Sequence, residues 1–169
     1  EITFAGSGEM DNGWTIDVSM QLDNNAQAAA GNNMDNRSIK IGMGDAGTLT
    51  FAGHGGSNAL GAVDDVMPSA SGNETWDTIG DALGGTTSFN SISGVSSDNM
   101  FTYNNSSIVD GVSFTASLTP SNGSTNIEST MSYAVAYTGV EGLTVGAAMD
   151  ENSEAGALQT DYTTMYAKY

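Results

Sequence analysis

The chain has 169 residues, with 20 acids against 3 Lys+Arg, a formal net charge of −17, 22 glycines, two prolines and no cysteine. That charge excludes nucleic acid as a partner, because a phosphate backbone needs a basic counter-surface, and it makes cations the natural mobile partners. The missing cysteine excludes disulfides and thiolate metal sites, and a Ser-, Thr-, Asn- and Gly-rich, Lys-poor composition resembles that of bacterial outer-surface proteins.

The chain opens in a strand-like run, EITFAGSGEM, rather than in a secretory leader, and so reads as mature or trimmed. In residues 1–10, Ile2, Phe4 and Met10 fall on one face. Residues 14–23, WTIDVSMQLD, alternate without a break. Successive strand side chains point to opposite faces, so Trp14, Ile16, Val18, Met20 and Leu22 form a greasy face, and Asp17, Ser19 and Gln21 a wet one. The pattern returns in RSIKIGM (37–43), TLTFAGH (48–54), VSFTASLT (112–119), STMSYAVAYT (129–138) and LTVGAAMD (143–150). Two less regular runs, 99–104 and 159–169, complete a set of about nine strands.

The connections alternate as well. DNG (11–13), GDAG (44–47), SSIVDG (106–111) and GVEG (139–142) are short turns. Between them lie longer polar stretches at 24–36, 55–97, 120–128 and 151–158. A greasy and a wet face fit a soluble sandwich, and they also fit a membrane barrel whose wet face lines water. No apolar run is long enough for a spanning helix, but barrel strands never show one. Short turns sorted to one end and long loops to the other are the rhythm of an outer-membrane barrel. The wet faces point the same way, because they carry Ser, Thr, Gly, Asp and Gln where a soluble surface carries Lys and Glu. The expected fold is therefore all-β, an antiparallel transmembrane β-barrel.

Residues 55–97 form a connection far beyond the usual length, and such loops on compact scaffolds tend to be functional. Trp76, Ile79 and Leu83 are spaced for one face of a short helix that Asn73 would cap. The loop is expected to pack on the lumen wall.

With FAGSGEMDNGWTIDVSMQLD and MGDAGTLTFAGHGGSNALGAVDDVMP in view, the chain resembles the general bacterial porins in their alphaproteobacterial form. In those proteins a strand ending in a Gly-containing turn leads to a GTLTFAG-like strand. A long loop follows and folds back into the pore as its constriction. The resemblance implies an outer-membrane location in a Gram-negative bacterium and barrels of about 16 strands, which often trimerise. Nine strands are too few for that barrel, so 1–169 is expected to be one partial barrel domain, a piece of a longer chain. Implied partners are outer-membrane lipid, lipopolysaccharide and small hydrophilic solutes.

Five loop acids, Asp64, Asp65, Glu74, Asp77 and Asp81, would line the constriction and concentrate cations. Arg37, Lys40, His54 and Asp17 are candidate pore-wall residues, and in the resembling porins basic wall residues oppose the acidic loop. Lys40 and His54 have the parity of the wet face. Arg37 has the parity of Ile39, which offers it an alternative place at the outer rim, against lipopolysaccharide phosphate. Acids near the loop ends, Asp23, Asp35, Asp150 and Glu151, are candidate calcium ligands, although no EF-hand spacing exists. Trp14, Tyr133, Tyr137, Tyr162 and Tyr166 near strand ends read as interface girdle residues. A single His and the absence of a G-x-S-x-G elbow argue against catalysis. The reading is a diffusion porin with no required cofactor, preferring cations. The alternative is a surface structural or adhesive β-protein with calcium-binding acidic loops.

Overall fold

The computed structural model describes residues 1–22, 34–63, 98–121, 129–152 and 160–169. Among the described residues, nine strands form one antiparallel sheet in which each strand pairs with its neighbours in sequence. They are β1 (Ile2–Glu9), β2 (Thr15–Leu22), β3 (Met34–Gly42), β4 (Thr48–His54), β5 (Met100–Val109), β6 (Val112–Thr119), β7 (Thr130–Val140), β8 (Leu143–Asn152) and β9 (Thr160–Lys168). No pairing joins β1 to β9, so the sheet has two open edges. Strand order, count and the alternation of short and long connections follow the sequence reading. Its boundaries shift in places. β5 runs on through Ser106–Val109, leaving Asp110 and Gly111 as the turn, and β3 starts at Met34 inside the stretch read as a loop.

The short connections work because glycine takes backbone conformations that other residues resist. Gly47 has φ +91, and a Cβ there would fall 2.4 Å from the Asn104 carbonyl oxygen. A 3-10 turn at Gly44–Ala46 precedes it. Tyr103 Oη and Asn105 Nδ2 donate to the carbonyls of Ala46 (2.7 Å) and Asp45 (3.1 Å), which ties this turn to β5.

Cross-strand partners share a face, so the register defines both faces. One carries Val18, Ile39, Phe51, Phe101, Leu118, Met131 and their like in continuous rows. The rings of Phe51 and Phe101 pack tilted at 46°, with centroids 5.0 Å apart. This greasy face is also the open one. Val135 is 45% exposed, and Phe4, Met20, Tyr137 and Met149 are exposed too. A sandwich would bury such a face. Instead, the buried residues gather on the polar face, where Ala52, Met100, Ala134 and Ala148 stand beside Thr102, Ser117, Ser132 and Asp150. The girdle reading holds its parity for Trp14, Tyr133 and Tyr137. It fails for Tyr166, whose partner Gly146 lies on the polar face, and the side chain of Tyr162 lies outside the described residues. Nearness to a strand end places a residue at a certain depth, but parity decides which face it meets.

Candidate functional site

One row of cross-strand partners crosses the whole polar face. It runs Ser7, Asp17, Lys40, Thr50, Thr102, Ser117, Ser132, Asp150 and Tyr162, one residue from each strand in order. Asp17 and Lys40 are direct partners in it, so two of the four expected wall residues stand side by side. Together with Ser7, Ser19 and Ser38 they line a shallow hollow of about 370 Å³.

The start of the long connection lies over the same row. Beyond His54 the chain turns at Gly55, where φ is +72. The Ser57 carbonyl then accepts from Thr102 Oγ1 on β5 at 3.2 Å. Asn58 Oδ1 accepts from the Gly61 amide at 3.1 Å and shapes a 3-10 turn at Leu60–Ala62. The Ala59 amide donates to Ser117 Oγ on β6 (3.0 Å) and to Ser132 Oγ on β7 (3.1 Å), and the two hydroxyls are hydrogen-bonded to each other. Leu60 and Val63 complete the contact in one buried cluster with Ala134 of β7 and Ala148 of β8, against which Tyr166 of β9 packs. Thus residues 57–63 step from β5 towards β9 across the polar face. Backbone amides inside a wall need acceptors, and the hydroxyls supply them. The alanines leave room for the aliphatic side chains above.

The far end of the connection returns beside its beginning. His54 Nδ1 and Asp98 Oδ1 lie 2.6 Å apart, both about half exposed. The Asn99 amide donates to the Gly53 carbonyl at 3.4 Å. His54 therefore closes the mouth of the connection. Arg37 aligns with Met20 on the greasy face, at the long-connection end of β3. Its side chain fills the space above Gly53, where a Cβ would fall 2.4 Å from Nε.

The five loop acids Asp64, Asp65, Glu74, Asp77 and Asp81 lie outside the described residues, as do Asp23 and the Trp76–Leu83 pattern; so does the side chain of Asp35. Asp150 and Glu151 are successive strand residues on opposite faces, so this pair does not converge on one ion. Among the described residues no group of three or more His, Asp or Glu side chains gathers. The alternation puts Ser117 on the wet face, but its role with Ser132 and the alanines is not visible there. Ala134 and Ala148 are the available signal, being apolar residues at wet-face parity.

A family model described as Gram-negative porin matches residues 1–169. The chain belongs to the Gram-negative porins. Among curated proteins, none matches it. The porin family is one of channels rather than enzymes, and it places the chain in the outer membrane of a Gram-negative bacterium. The one-sheet architecture, with short turns at one end and long connections at the other, is that of a porin barrel wall. In a porin barrel the polar face is the one that lines the water path.

Proposed function

We propose that this porin is a cation-preferring diffusion channel and that residues 55–97 form its constriction. The observation that carries the reading is the course of residues 57–63, which lie across the lumen-side row instead of standing away from the strand ends. The remainder of the connection then issues from a point already over the wall. It carries five acids and no base. A low-dielectric wall concentrates the field of fixed charges in a narrow aqueous path, so a few carboxylates bias which ion enters. The row itself adds two further acids, Asp17 beside Lys40 and Asp150.

The greasy face meets lipid in this reading, with Arg37 at its rim. The open edges of β1 and β9 would leave unpaired backbone groups in hydrocarbon, which is not tolerated. Further strands therefore complete the barrel in this reading, from a longer chain or from other copies. Barrels associate as homotrimers through apolar outer walls such as that of 143–149, which a native mass in mild detergent would report as three copies.

The test is a planar bilayer holding the full-length protein under a salt gradient. The reversal potential should show cation preference, weakening as the Debye length falls from roughly 10 Å at 0.1 M to 3 Å at 1 M salt. Changing Asp64, Asp65, Glu74, Asp77 and Asp81 to Asn or Gln should move it towards zero. Anion preference in the parent channel, or an unmoved potential after the five changes, would refute the assignment.

A further inference from the structure

We propose that Ser117 and Ser132 are positioning residues for conduction: their paired hydroxyls are the seat that fixes the height of the long connection in the channel. The proposal rests on the reading of 55–97 as the constriction. The Ala59 amide is wholly buried, and a buried donor is satisfied by a partner rather than by bulk water. Two hydroxyls from adjacent strands share that one donor. Ser132 is 1% exposed and Ser117 7%, whereas Ser113, at the same parity two rungs away on β6, is exposed. The seat is therefore a local construction and not a general property of the serine-rich wall.

Its neighbours make it a fixed point. Thr102 holds the Ser57 carbonyl, Asn58 folds the turn, and Leu60 and Val63 press on Ala134 and Ala148. Together with the His54–Asp98 contact at its mouth, the connection is held at both of its described ends. Once the amide loses its acceptors, the segment can leave the wall, and the free cross-section of the channel varies.

The experiment uses the full-length protein and two readouts. Residues 1–169 contain no cysteine, so Val63→Cys introduces the one thiol of this stretch, next to the seat, and the parent protein gives the labelling background. The first readout is its labelling by a membrane-impermeant maleimide. The second is the distribution of single-channel conductance levels. The seat is removed in two ways. Ser117→Ala with Ser132→Ala takes away the acceptors. Ala59→Pro takes away the donor, and the native φ of −65 already suits proline. Ser113→Ala is the control on the exposed wall.

Both removals should speed labelling about tenfold, the factor that follows from losing one to two net hydrogen bonds. Both should also break the dominant conductance level into several, and the control should do neither. Labelling that stays slow in both the double serine variant and Ala59→Pro overturns the seat, whatever the currents do. Faster labelling with an unchanged single level upholds the seat but removes the constriction reading on which its role in conduction rests.

Discussion

The ring of Tyr166 occupies the space where any side chain at Gly146 would stand. The two residues are direct cross-strand partners on β9 and β8, and a Cβ built on Gly146 falls 2.2 Å from Tyr166 Cε1 and 2.6 Å from Cζ. The glycine lets the ring lie against the sheet, and from there it packs against the cluster of Leu60, Val63, Ala134 and Ala148. Glycine within a strand otherwise weakens it, and an aromatic laid over it restores the lost packing. Gly146→Ala should therefore cost about 1–3 kcal/mol through overpacking. It should also loosen the seat on its β9 side. The thermal midpoint of the folded barrel, read by the gel shift between folded and unfolded forms, checks the first effect. Val63→Cys labelling checks the second.

The Asp17–Lys40 pair permits a charge test independent of the long connection. Lys40→Gln leaves Asp17 unbalanced and should raise the cation-to-anion permeability ratio. Asp17→Asn should lower it. Each change should be a few-fold at low salt and fade as screening shortens the reach of a charge. The reversal potentials of the two variants should thus move in opposite directions. Movement in the same direction would mean that this stretch of wall does not face the ion path.

Facing can be tested with charge as well as with labels. An arginine at the lipid face of a barrel costs about 2–4 kcal/mol near the bilayer midplane, while lumen positions tolerate charge. Val135→Arg should thus impair assembly, and Ser19→Arg, on the polar face of β2, should not. Yields of heat-modifiable folded barrel from the two variants give the answer. Spin labels at Val18 and Phe114 should report lipid, and labels at Ser19 and Thr115 should report water.

The turn before β4 offers a purely conformational prediction. Gly47 sits at φ +91 with the Asn104 carbonyl where a Cβ would go. Gly47→Ala should therefore destabilise by more than about 1 kcal/mol, since the native backbone there is incompatible with a side chain. The midpoint of urea-induced unfolding from lipid vesicles should fall with the slope unchanged.

The wall was legible in the sequence because period-two alternation is a local signal and neighbouring strands pair in order. WTIDVSMQLD alone defines both faces of β2, and the register of β1 and β3 follows from it. Tyr166 shows where position overrode parity: it lies near a strand end, yet its partner is Gly146. The seat was harder to read, because Ser117 and Ser132 differ in nothing local from other wet-face serines. What distinguishes them is a distant amide that only the fold brings near. Ala134 and Ala148 at wet parity were a weaker trace of the same contact.

Contact order divides this molecule in two. Every strand pairs with its neighbour in sequence, so outside the long β4–β5 connection the sheet can grow hairpin by hairpin at small entropic cost. The seat is different. Its acceptors lie 58 and 73 residues from Ala59, on strands made later by the ribosome, and they stand together only once β6 has paired with β7. The connection must therefore dock after this part of the wall exists. For the proposed constriction this sets an order of events: the throat would narrow only after enough wall has formed to hold the segment that narrows it.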